Sequence, residues 1–137
     1  MKLILDSSVA FKTLVPEQES DKAVKLLEEY RQGLHELLAP DILPVEVGHA
    51  LTRAERQGRV SPTDGYALWS KLMADCPPLV RYLSLMPRAY ALSSQARIGV
   101  YDCLYLALAE QEQCQVVTAD QRLVSTFPGQ VLLLSSI

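Results

Sequence analysis

Four acidic residues stand where a folded chain has little ordinary use for them. Asp6 follows the apolar run KLIL, and Asp120 closes the segment VVTAD. Glu46 lies at the edge of an apolar face formed by Leu43, Val47, Ala50, Leu51 and Ala54. Asp102 is the one charged residue in the stretch YDCLYLALA. Hard carboxylate oxygens suit Mg²⁺ or Mn²⁺, ions that keep several waters and bind phosphate oxygens. Two such ions ~3.5–4 Å apart can activate water and stabilise the leaving oxygen in phosphodiester cleavage. No side chain then has to serve as nucleophile.

Taken singly, each acid has a plainer role. Asp6, Asp102 and Asp120 all fall near expected helix starts, where aspartate caps well. Glu46 alone would be a partly exposed side chain with its charge in water. Asp102 strains the plain reading most, because a helix apolar all round is usually buried. A buried, unpaired carboxylate needs a cation, hydrogen bonds or a proton. The chain has no G-x-S-x-G turn, no glycine-rich phosphate loop and no paired Cys–His signature, which removes the commoner catalytic alternatives.

The elements that must position these acids follow from the apolar pattern. KLIL predicts a short strand buried on both faces, followed by a helix over 7–14 that Ser7 or Ser8 caps and Pro16 ends. A helix over 20–31 closes at Gly33. A strand over 35–39 leads into a helix over 41–57, with Pro44 in its first turn and Gly58 as its stop. Ser61-Pro62 begins a helix to 74. A strand is expected over 79–83, a helix over 87–98, and another over 101–113. A strand over 115–118, a short helix over 120–126 and a strand over 131–134 complete the chain. Apolar strands alternating with helices predict one α/β domain over 1–137, a three-layer α/β/α sandwich with a mainly parallel sheet. In such sheets ligands bind beyond the carboxyl ends of the strands. Asp6 and Asp120 both lie there and converge if their strands are neighbours.

The 137 residues are long enough for one substantial core. Three cysteines without C-x-x-C spacing fit a reducing compartment. His35 and His49 have no partner at a zinc-like spacing. No run approaches the ~20 apolar residues of a membrane span, and the N-terminus does not resemble a signal peptide. A cytoplasmic protein is expected. The net charge of −3 gives no sign of a nucleic-acid partner. Two divalent ions would add +4 and bring that −3 to about +1. Lys12, Arg53, Arg97 and Arg122 lie near the acids in sequence and are candidates to face phosphate, as are the backbone N–H groups of the helix that begins at Ser7.

The segments LILDSSV, LPVEVGHAL, YDCLYLALAE and VVTADQRL resemble the four acidic motifs of PIN domains, most closely those of the small VapC-type toxins. The resemblance runs over essentially the whole chain. It implies a three-layer α/β/α fold, Mg²⁺- or Mn²⁺-dependent endoribonuclease activity on RNA, a homodimer, and inhibition by a cognate antitoxin protein. It makes Asp6, Glu46, Asp102 and Asp120 the metal-binding acids and sets the hydroxyls of Ser7 and Thr118 beside the site. Ser7, Thr118 and Arg53, the last one helical face along from Glu46, are the candidate substrate contacts. His49 stands where the family commonly has Asn, and Cys103 where a small residue is usual. Neither replaces a ligand.

Three other readings compete. A phosphohydrolase with a nucleophilic strand-end Asp, of haloacid-dehalogenase type, would want an acid two residues later, where Ser8 stands. A receiver-like phosphoacceptor has no place for Glu46 and Asp102 on helices. A degenerate PIN-like binding module would have lost a carboxylate, and all four are present.

Overall fold

In the computed structural model, which describes residues 1–137, Lys2–Leu5 forms the first strand, β1. Leu3, Ile4 and Leu5 are all buried, as a strand covered on both faces requires. β1 is central. It pairs in parallel with β2 (Glu36–Pro40) on one side, Leu3 opposite Leu37, and with β4 (Gln115–Thr118) on the other, Ile4 opposite Val116. β3 (Leu79–Val80) and β5 (Val131–Leu133) complete a five-stranded parallel sheet in the order β3-β2-β1-β4-β5.

Seven helices cover the sheet in a three-layer α/β/α sandwich. They are α1 (Ser7–Lys12), α2 (Ser20–Arg31), α3 (Leu43–Arg56), α4 (Pro62–Ala74), α5 (Tyr82–Ala96), α6 (Val100–Glu112) and α7 (Gln121–Thr126). α1 packs on β4 and against α2 and α3, and α3 packs against α4. α6 lies against β1, β2 and β4, with α5 packed onto it. Every residue of α6 from Cys103 to Ala109 is buried, which explains why its apolar pattern has no period. The chain adds β2 and β3 on one side of β1, then crosses to add β4 and β5 on the other. That reversal puts a crevice beyond the carboxyl ends of β1 and β4, where open α/β sheets bind ligands.

The largest departure from the expected elements lies between positions 79 and 98. The strand is two residues long, and α5 begins at Tyr82 with Pro87 inside it. Leu85, Ala89 and Leu92 bury one stripe of this helix and outweigh the proline. Pro87 cannot donate to the carbonyl of Leu83, but that turn is exposed, so water can serve. The helix start is held from a distance, since Tyr82 N–H donates to Asp41 Oδ1 at 2.9 Å. Asp41 itself precedes the third helix, which begins at Leu43. α1 ends at Lys12, short of the expected limit at Leu14.

Candidate active site

Asp6 ends β1 and is only 5% exposed. Its Oδ2 accepts hydrogen bonds from Ser8 Oγ at 2.5 Å and Thr118 Oγ1 at 2.9 Å. Both hydroxyls in turn accept a backbone N–H, Ser8 from Ala119 and Thr118 from Asp120, each at 3.1 Å. With those lone pairs engaged, both hydroxyl protons are directed at Asp6. Burial pushes the Asp6 carboxyl above its ordinary pKa, and the two hydroxyls oppose that rise.

Glu46 projects from the first turn of α3 and is half-buried. Its Oε1 accepts a 2.7 Å hydrogen bond from the phenol of Tyr105, a fully buried residue of α6. Burial raises the Glu46 pKa, the Tyr105 bond lowers it, and the charges of Asp6 and Asp102 raise it further. Asp102, in the first turn of α6, is raised first by burial and then by Asp6 and Asp120, with Arg122 pulling the other way. Its side chain caps nothing in α6. Asp120 does cap, accepting the Arg122 backbone N–H on Oδ1 at 2.9 Å. Its Oδ2 lies 3.7 Å from the Arg122 guanidinium, so capping leaves one oxygen facing the crevice group.

The four acids thus form one electrostatically linked set drawn from β1, α3, α6 and the start of α7. Their oxygens are hard donors, and three of them carry raised pKa values that a cation would relieve. No three of these side chains close around a common point as they stand. Mutual repulsion favours that spacing, and Mg²⁺ or Mn²⁺, which keep several waters, do not need a closed protein cage. The donor set fits such an ion.

The other candidates separate clearly. Ser7 lies beside Glu46 and Tyr105. Thr118 is fully buried, so its hydroxyl holds Asp6 instead of reaching a substrate. Arg53 is exposed on α3 and makes no ion pair, and His49 is exposed one turn before it. Lys12 is turned away to Glu17 at 3.1 Å and to the carbonyl of Gln18 at 2.7 Å. Arg97 is the left-handed residue that ends α5. Cys103 is buried, with its thiol pushed up to about 11 by burial, and it behaves as a small apolar side chain. Sequence reasoning missed Ser8 and Tyr105. From sequence Ser8 offers a helix cap, and nothing local ties it to Asp6 and Thr118. Tyr105 carries the one side-chain polar atom in an otherwise apolar run one turn after Asp102, and a buried phenol needs a partner.

Comparison with known proteins adds family and fold. A PIN domain family model matches residues 3–126. Ribonuclease VapC3 of Pyrobaculum aerophilum is 30% identical over 133 residues, spanning 96% of this chain and 98% of the relative. The crystal structure of PAE2754 from Pyrobaculum aerophilum matches with a TM-score of 0.72 at 20% identity, over 99% of this chain and 94% of that one. That of VapBC2 from Rickettsia felis, bound to a DNA fragment from their promoter, matches with a TM-score of 0.67 at 13% identity over 97% of both chains.

Proposed function

The chain belongs to the PIN-domain family, and from that premise we propose that it is a divalent-metal-dependent endoribonuclease, the toxin of a toxin–antitoxin pair. The observation that carries this reading is the placement of Asp6 at the end of β1, Asp120 just past β4, and Glu46 and Asp102 in the first turns of α3 and α6, with one guanidinium nitrogen of Arg122 at 3.5 Å from Asp102 and 3.7 Å from Asp120. A ribonuclease at 30% identity over nearly its whole length supports the activity. A neighbour described as a toxin-antitoxin complex, from Klebsiella pneumoniae, supports the pairing.

Asp6, Glu46, Asp102 and Asp120 would hold the ion, Mg²⁺ or Mn²⁺. Bound there, it supplies charge neutralisation at the phosphate and acidification of water. This chain's residues supply the geometry. Ser8 and Thr118 hold Asp6 in one orientation, so its charge is not spent in reorienting during reaction. Tyr105 keeps Glu46 turned toward the other acids and favours its ionised form. No side chain is required as a covalent nucleophile, and Cys103, the nearest thiol in sequence, is neutral and buried.

The protein acts as one domain over 1–137, in the cytoplasm; no helix is long and apolar enough to cross a membrane. It forms a homodimer through α5, whose Leu83, Pro87 and Tyr90 form an exposed apolar stripe. A cognate antitoxin would inhibit it by setting a basic side chain among the four carboxylates, which arginine pairs well. The deciding experiment incubates the purified protein with labelled RNA in Mg²⁺, Mn²⁺ or chelator, then repeats the assay with any small protein found encoded in the adjoining reading frame. Cleavage in either ion, absent in chelator and suppressed by that partner, is the expected result. Cleavage that survives chelation, or none in either ion, overturns the proposal.

A further inference from the structure

Arg122 occupies the first turn of α7, two residues after Asp120. One guanidinium nitrogen, Nη2, lies 3.5 Å from Asp102 Oδ2 and 3.7 Å from Asp120 Oδ2. It therefore spans two acids, one in the first turn of α6 and one that caps α7. Both contacts are longer than the 2.7–2.9 Å typical of a tight charged hydrogen bond. The side chain is also 65% exposed, so nothing packs it in place. It is a loosely held cation resting on the oxygens assigned above to an ion.

A divalent ion closing on these two oxygens meets the positive charge of the guanidinium already facing them. The two cations therefore compete. Other basic groups near the acids offer no such competition, since Lys12 is tied to Glu17 and Arg53 pairs with no acid. An exposed side chain displaced from Asp102 and Asp120 stays at the crevice rim, tethered by the short helix that Asp120 caps. A planar guanidinium there is suited to gripping a phosphate with two parallel bonds.

We propose that Arg122 is a displaceable cation: it pairs Asp102 with Asp120 when no metal is bound, and once displaced by the ion it binds the phosphate backbone of the RNA. The inference rests on the metal-site reading and goes beyond it, because it assigns one residue opposite effects on two ligands. Removing a competitor should tighten ion binding by the reciprocal of the fraction of time the site is free of it. Removing a phosphate contact should weaken RNA binding and flatten its salt dependence by about one counterion.

The test measures Mn²⁺ binding by calorimetry, in the absence of RNA, for wild type, Arg122→Gln and Arg53→Ala. It also measures binding of a short single-stranded RNA across a salt series, with Ca²⁺ replacing Mn²⁺ to slow turnover. Arg122→Gln should bind Mn²⁺ about threefold tighter or more, as a site blocked two-thirds of the time would. The same variant should bind RNA several-fold more weakly. Arg53→Ala controls for the loss of one positive charge and should leave Mn²⁺ affinity within about twofold. Because Arg122 is exposed and its backbone N–H keeps the Asp120 cap, the variant should fold, which its melting curve checks. Unchanged or weaker Mn²⁺ binding in Arg122→Gln overturns the inference while leaving the metal site standing. Equal tightening in Arg53→Ala overturns it too, because simple charge would then explain the gain. If wild type binds no Mn²⁺, the metal-site reading itself fails and takes this inference with it.

Discussion

The phenol of Tyr105 donates a 2.7 Å hydrogen bond to Glu46 Oε1, joining α6 to α3 across the carboxyl end of the sheet. Fifty-nine positions separate the two residues. Each answers a need of the other, because a buried hydroxyl requires an acceptor and a half-buried carboxylate requires a donor. The bond favours the ionised glutamate and fixes one of its oxygens, while the charges of Asp6 and Asp102 act on it in the opposite direction.

Tyr105→Phe removes that donor and leaves the ring in place. Glu46 then loses the bond that lowers its pKa, so the acid limb of the pH–rate profile should move to higher pH. Cleavage at neutral pH should fall about tenfold, equivalent to about 1.4 kcal/mol. Steady-state kinetics across pH, together with a melting curve, check this. An unmoved acid limb would mean that the phenol only fills space.

Asp6→Asn and Asp102→Asn keep the side-chain shape and lose the charge. Each should lower RNA cleavage by about 10²-fold or more, the scale seen when one key electrostatic group is removed. Asp6→Asn also disturbs two hydroxyls that donate to the carboxylate, so its melting temperature must be measured beside its activity. Asp102→Asn has only the exposed Arg122 as partner and should not destabilise the fold. Near wild-type cleavage by either purified variant rejects its assignment.

The raised carboxyl groups make stability depend on pH in a definite direction. Asp6, Glu46 and Asp102 hold protons more tightly in the folded chain than in the unfolded one. Their contribution to stability is therefore full below the unfolded pKa of about 4 and is lost as pH rises through the raised values. A divalent ion binds the deprotonated site of the folded state and restores it. At ten times its dissociation constant it should add about 1.4 kcal/mol. Melting at about pH 5 and about pH 8, in chelator or excess Mn²⁺, should show the ion acting mainly at the higher pH. Asp102→Asn should stabilise the chelated protein and shrink that gain. A wild-type curve unmoved by Mn²⁺ at both pH values rules out a metal site.

The proposed dimer depends on apolar side chains that α5 leaves in solvent. Leu83 is 70% exposed and Tyr90 69%, and their spacing places them on one side of the helix. The double substitution Leu83→Glu and Tyr90→Glu should shift the protein to monomer in light scattering, with the melting transition of each chain retained. A wild-type monomer at working concentration, or a dimer untouched by both charges, removes α5 as the interface.

Much of this was legible in the residues themselves. The termini of β1, α2, α4 and β4 follow from short apolar runs, a serine cap and glycine stops, which are local signals. The four acids stood out for a local reason too, since each breaks an apolar pattern at a strand end or a helix start. Tertiary structure decided what they do to one another. Asp6 and Asp120 share a crevice only because β4 lies beside β1, and strand order is not written in any one segment. The run 79–83 reads as a strand because a short stretch of apolar residues around Arg81 cannot be told from a helix start by period alone. Asp41, distant in sequence, supplies the acceptor that starts α5 at Tyr82. The same holds for Lys12, drawn off by Glu17, for Ser8 and Thr118 converging on Asp6, and for Tyr105 reaching Glu46. Hydrogen bonds and ion pairs act over a few ångströms, so a pattern along the chain can nominate their members. Only the packing of the sheet and its helices brings those members within reach.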